Sequence, residues 1–367
     1  LKTISNGLEQ PQDNFLLLRF IAAAMVIYGH APAVAGGWAP RDLFVWLNWG
    51  EYSGSIAVDI FFVISGFLVT GSFLRRPHLV SFLWARFLRI VPAYLVLLLL
   101  SAFVIGAVFT NASLRDYFSR NQTYVYITDN IRFSAHHLAW RLPEVFSTNP
   151  KTTTVNGAIW TLPAEVAMYI WAAMLGVAGI IGRRWLFNAV IAGLFIYGFV
   201  YPHDIFLLDI DAYTRMAGLF AAGAFCYVNR SWLPVSAALL MGAIILAYVL
   251  RSYAVYPWLF GACEVLFVFW FAYGIPDFGF NRVGDYSYGL YLWGYPSQQM
   301  IAAVAPQMSS LMNALCGLAT ALAIAAISWH VIEKPALRWK GAPAVIAARI
   351  GRPAWLQGLM RRLRAQE

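Results

Sequence analysis

Apolar runs of roughly 20 residues recur along the whole chain, and a helix needs ~20 such residues to cross a hydrocarbon core. Nothing else in the sequence narrows the fold as much. Of 367 residues, 60% are hydrophobic and only 12% are charged. A soluble domain of that length has nowhere to bury so much apolar surface. In lipid the backbone must satisfy its own polar groups, so runs of this kind are read as helices. The sequence therefore predicts an all-α polytopic membrane protein with about ten transmembrane helices. They fall at roughly 15–34, 53–74, 90–110, 157–181, 185–201, 211–228, 233–250, 256–275, 283–304 and 310–332.

Basic residues set the orientation. With the N-terminus inside, the inner loops and tails collect Lys2, Arg75, Arg76, Arg86, Arg89, Arg183, Arg184, Arg230, Arg282 and eight cations after Glu333. That makes 17 inner cations against seven in the outer loops, so the positive-inside rule puts both termini in the cytoplasm. The net charge of +9 would suggest nucleic acid in a soluble protein; here topology accounts for it, and no nucleic-acid partner is expected. The first segment lacks a basic start and a small-residue cleavage pattern, so it reads as a span rather than a cleaved signal. Cys226, Cys263 and Cys316 lie in apolar segments without metal-ligand spacing, and neither disulfides nor a metal are expected. Residues 1–335 read as one membrane domain and 336–367 as a basic amphipathic cytoplasmic tail lying on anionic lipid. The 111–156 stretch is the one sizeable extramembrane loop, placed to cover a cavity from outside.

Ionisable residues inside spans are costly and mark functional paths. Arg19 and His30 both lie in the first span, eleven positions apart. Eleven residues make close to three turns, so both side chains leave one face, ~16 Å apart along the axis. Helix rise places His30 ~22 Å from the inner boundary, Asp59 ~9 Å below the outer one and Glu165 ~12 Å below it. Three groups on three helices thus share a depth, and Arg215 lies where it could join them. Histidine suits general-base work, and either carboxylate could support the imidazolium. On the inner side, Arg19, Arg86 and Arg89 with neighbouring aromatics suit a phosphorylated ligand, since the planar guanidinium fork matches phosphate. Glu264 is mid-span, either paired or functional. His136 and His137 read as solvent-facing or substrate-lining, and Ser65 as helix packing rather than a nucleophile.

These residues carry a resemblance. LLLRFIAAAMVIYGHA around Arg19 and His30, VDIFFVISGFL (Val58 to Leu68), RFLRIVPAY (Arg86 to Tyr94) and GAIWTLPAEVAMY (Gly157 to Tyr169) are similar to motifs of the membrane acyltransferase-3 family. GDYSYGLYLWGYP (Gly284 to Pro296) and SWHVIEKP (Ser328 to Pro335) complete an ordered set over nearly the whole chain. The resemblance implies a ten-helix core that transfers an acyl group, most often acetyl, from cytoplasmic acyl-CoA (acetyl-CoA) to a hydroxyl of a cell-surface or exported glycan. It implies His30 as catalytic histidine, Arg19, Arg86 and Arg89 at the acyl-donor end, and Glu165 as the glutamate of the tryptophan-containing motif. It also implies a multi-pass protein whose site is reached from both sides, and the compact build points to a bacterial inner membrane. Two positions depart from the family pattern: Gly294 stands where many members have histidine, and Ala57 where many have glycine. The rival reading is a proton-coupled transporter or exporter of a glycolipid, which would also need buried His, Asp, Glu and Arg. No internal repeat is visible, which counts against it.

Overall fold

The structure, a computed structural model, describes residues 2–200, 211–282 and 284–343. Among the described residues it is helical throughout, with two isolated bridges (Thr3 to Pro234, Thr110 to Val145) in place of any strand. The long helices are α1 (Phe15–Val34), α2 (Ser53–Arg75), α3 (Leu79–Leu100), α4 (Leu162–Val177), α5 (Arg184–Val200), α6 (Asp211–Val228), α7 (Ala237–Val249), α8 (Tyr256–Tyr273), α9 (Ser287–Val304) and α10 (Ser310–Ser328). The segments built on α1, α2, α3, α4, α8 and α10 are six helices long and apolar enough to cross a membrane; α5 and α7 are shorter apolar helices. The chain is thus a multi-pass helical membrane protein. Residues 201–210 and the basic tail from 344 onward lie outside the described residues.

Local chemistry explains the helix ends. Pro77 follows Arg76, whose backbone has left the helical region, as a residue before proline prefers, and α2 stops there. His78 then caps α3, its Nδ1 accepting from the Ser81 amide at 3.2 Å. The third apolar segment therefore starts at Leu79 instead of near 90, and Arg86 and Arg89 sit two to three turns inside it. Both α3 and α10 continue through a π turn, at Ser101–Ile105 and Trp329–Glu333. Such bulges often adjoin functional sites. The second carries α10 on into Lys334–Arg338.

Helix α2 lies at the centre, with 72% of its most apolar window buried, against 22% for the α10 segment. Small residues let its neighbours come close. A Cβ on Gly66 would lie 1.9 Å from the Phe220 carbonyl of α6, and one on Gly223 would lie 2.1 Å from that of Val63. On the other flank, Gly29 of α1 meets Gly54 of α2, where a Cβ would come within 2.6 Å of the Gly54 nitrogen. Asn14 ties the start of α1 to the end of α8, donating from Nδ2 to Phe271 O at 3.3 Å and Pro276 O at 3.1 Å.

The 111–156 stretch is folded, with helices Leu114–Ser119 and Asn121–Asn130. Tyr117 is fully buried and donates to Ala102 O at 2.7 Å, and burial pushes its hydroxyl pKa up to about 12. Farther on, Asn149 Nδ2 donates to Gln299 Oε1 at 2.7 Å, and Asn156 Nδ2 to Leu292 O at 3.0 Å. These bonds tie the far end of the loop to α9.

Candidate active site

Two cavities open along α2. The larger holds about 360 Å³, and its wall includes Arg19 of α1, Arg86 and Arg89 of α3, Glu165 and Tyr169 of α4, Asp285, and Lys340 beyond α10. The smaller holds about 180 Å³ and is lined by His30 and Val26 of α1, Tyr52, Ser55 and Asp59 at the head of α2, Trp160, and Met216 of α6. Residues 58 to 69 of α2 face the first, and residues 54 to 59 face the second. Arg19 and His30 of α1 thus open into different chambers.

In the larger chamber the cations differ in their company. Asp285, just before α9, accepts from Arg19 at 2.9 Å and from Arg89 at 2.6 Å, and Ser287 donates to its other oxygen at 2.6 Å. Glu333, from the π turn of α10, lies 3.7 Å from Arg89. Arg86 has no carboxylate within ion-pair distance among the described residues. Its guanidinium lies 5.8 Å from the Phe82 ring centre and 5.7 Å from that of Tyr169, and its buried Nε has no hydrogen-bond partner. Lys340 is likewise without an ion pair among the described residues. Four cations and two carboxylates line this chamber, a surplus that suits a polyanion. Tyr169 donates to Glu165, which therefore faces this chamber rather than His30.

The smaller chamber has the opposite balance. His30 packs edge-on against Tyr295, ring centres 5.1 Å apart, and its Nδ1 is buried without a hydrogen-bond partner. Asp59 shares the chamber but pairs with Arg215, not with His30. Arg215 also pairs with Glu51 and lies 3.8 Å from Glu264, so one guanidinium serves three carboxylates. Asp59 and Glu264 are 2% and 5% exposed, so these two carboxylates are buried while Arg215 and Glu51 are part-exposed. Tyr52, just before α2, is held protonated: burial foremost, then the charge of Glu51, Asp42 and Asp59, raises its pKa.

Of the residues singled out in the sequence, the structure brings His30 and Asp59 into one chamber and Arg19, Arg86, Arg89 and Glu165 into the other. No hydrogen bond or ion pair joins His30 to either carboxylate. Residues 111–156 line neither chamber; Trp160 and Thr161, just before α4, do. Asp285 and Lys340 were missed. Asp285 sits in the quoted Gly284-to-Pro296 motif, and Lys340 lies in the segment read as a tail. The substitution at Gly294 has a steric reason: a Cβ there would lie 2.5 Å from Ile27 of α1, leaving no room for an imidazole. The next residue, Tyr295, packs on His30 instead.

The profile of a protein family described as an acyltransferase domain matches residues 13–330. The chain is also 26% identical over 324 residues to an O-acetyl transferase of Shigella phage Sf6, covering 86% of this chain and 93% of that one. It is 26% identical over 363 residues to Nodulation protein 10 of Rhizobium leguminosarum bv. viciae, covering 89% and 94%. No solved structure matches.

Proposed function

The chain belongs to the acyltransferase-domain family, and from that premise we propose an integral-membrane O-acyltransferase that moves an acyl group from cytoplasmic acyl-CoA to a hydroxyl of a cell-surface or exported glycan. Acetyl is the first candidate, because one relative is named as an O-acetyl transferase. The observation that carries the reading is the pairing of two adjoining chambers along one face of α1. One has surplus cations for the phosphates of a CoA donor. The other has a histidine with a ring nitrogen left unpartnered.

In this reading both termini are cytoplasmic, all ten long helices cross a bacterial inner membrane, and the site is reached from both sides. Arg86 and Lys340 bind phosphate directly. Arg19 and Arg89, fixed by Asp285, give the same wall its field and orientation. Glu165, holding Tyr169, positions the donor arm. The acceptor hydroxyl enters the smaller chamber, and His30 takes its proton as the oxygen attacks the thioester carbon. The C–O bond forms and the C–S bond breaks. The proton passes from His30 to the sulfur, so an ester and a free CoA thiol leave. The first turn of α2, with Gly54 and Ser55 in the chamber wall, brings the positive end of a helix toward the carbonyl oxygen where negative charge develops. Asp59 acts on the imidazolium through its charge across the chamber, without a direct bond.

The test is the ester-linked acyl content of surface glycans in cells lacking this protein, complemented with wild type or with His30→Ala at matched abundance. Wild type should restore acylation and His30→Ala should leave it at the background, a loss of ~10²-fold or more. Full restoration by His30→Ala would remove His30 from the mechanism.

A further inference from the structure

Val58 and Tyr291 line both chambers. Both are nearly buried, at 9% and 8% exposed, so these two side chains form the partition where the chambers adjoin. The two are not alike. Tyr291 is fixed at its tip, where its hydroxyl donates to Ala158 O at 2.6 Å and lies 2.5 Å from Thr161 Oγ1. Its ring is braced edge-on by Phe61, centres 5.7 Å apart. Tyr291 is therefore a stationary wall. Val58 opposes it from α2 with no polar contact, and its branched Cβ holds a single preferred rotamer in a helix.

We propose that Val58 and Tyr291 form the aperture through which the acyl group reaches His30, and that its width selects donors by acyl-chain length. This rests on the acyl-CoA reading above and adds the residues that decide which acyl group is accepted. The CoA body stays in the 360 Å³ chamber while only the acyl end crosses. Beyond the aperture, the 180 Å³ chamber must hold both the acyl group and the acceptor hydroxyl. An acetyl group crosses with its carbonyl at His30. A longer chain has to thread past Val58 and fill space the acceptor needs. Bond changes are those of the transfer itself, so the aperture alters which thioester is cleaved and not how.

The experiment uses membranes from the native cells, which carry the acceptor, given radiolabelled acetyl-, butyryl- or hexanoyl-CoA in parallel. The readout is the ratio of butyryl to acetyl label in the glycan fraction. Val58→Ala should raise that ratio about tenfold over wild type, the scale on which a methylene is discriminated in an apolar site. Val58→Ile should lower it, and it carries the test alone if the alanine variant does not accumulate. A ratio unchanged in both variants, with wild type active, overturns the aperture and leaves the donor reading standing. No label from any acyl-CoA in wild-type membranes overturns the donor reading, and the aperture with it.

Discussion

The two chambers are built from the same residue types in opposite proportions. The larger is lined by Arg19, Arg86, Arg89 and Lys340 against Asp285 and Glu165. Around the smaller, Arg215 alone answers Glu51, Asp59 and Glu264. A surplus of cation in one place and of carboxylate in the other is expensive within a membrane unless each serves a purpose. In the larger chamber a polyanionic ligand would complete the balance. In the smaller one the proposed ligands are neutral, and the carboxylates' surplus is held by one guanidinium. The cluster beside the smaller chamber is closed on itself, whereas the larger chamber is left open at Arg86 and Lys340.

The most severe way to break this comparison is to remove Arg215. Taking the cation from buried carboxylates costs up to about 3–5 kcal/mol, less the screening that part-exposed Arg215 and Glu51 receive, because Asp59 and Glu264 stay buried. Arg215→Gln should therefore lower the apparent melting temperature of the detergent-purified protein more than any single substitution in the walls of either chamber. Glu264→Gln removes part of the surplus, so it should cost far less and should recover stability when combined with Arg215→Gln. A double-mutant cycle on thermal unfolding measures that recovery. If the two losses simply add, the cluster is not held by mutual neutralisation, and the contrast with the larger chamber fails.

How much of this was legible in the sequence follows the same division. Segment lengths and polar breaks located the helices, apart from the start of α3, because spanning lipid leaves few alternatives for an apolar run. Placing Arg19 and His30 on one face needed only the helical period. Glu165 shows the limit: helix rise gives depth but not the direction a helix faces within the bundle. At a depth inferred to match that of His30, it faces the other chamber. Asp285 could not be assigned to Arg19 because 266 residues separate them, and only the packing of α9 against α1 and α3 brings them together. Lys340 was hidden by its company in a basic tail. The π turn at Trp329–Glu333 that carries α10 onward leaves no strong mark in sequence.

A gentler test separates the open cations from the paired ones. Arg86→Gln removes a guanidinium that no carboxylate occupies, so it should leave the fold intact and weaken donor binding. One charge-assisted contact is worth about 1.5–3 kcal/mol, which corresponds to a rise in KM for acetyl-CoA of roughly 10- to 100-fold with kcat little changed. Arg89→Gln should differ in kind. It leaves Glu333 without a cation and Asp285 with Arg19 alone, and should show as lost thermal stability before any effect on KM. Steady-state kinetics beside unfolding curves distinguishes the two. Equal behaviour of both variants would mean that Arg86 is an ordinary packing residue, and the larger chamber would lose its claim to an open anion site.

The smallest effect belongs to the rim of the smaller chamber. Tyr52 stays protonated there beside Glu51 and Asp59, so it can donate to a neutral acceptor. Its ring packs where the backbones of Gly29 and Gly54 nearly touch, and Tyr52→Phe keeps that packing. Losing one neutral hydrogen bond costs about 0.5–1.5 kcal/mol, a change of a few-fold up to roughly tenfold in the acceptor's apparent KM. The donor's KM should not move, because the donor is held in the other chamber. Kinetics with each substrate varied in turn therefore reads the partition directly. An effect of Tyr52→Phe on both constants would show that the chambers do not act separately, and the division of labour along α1 would have to be redrawn.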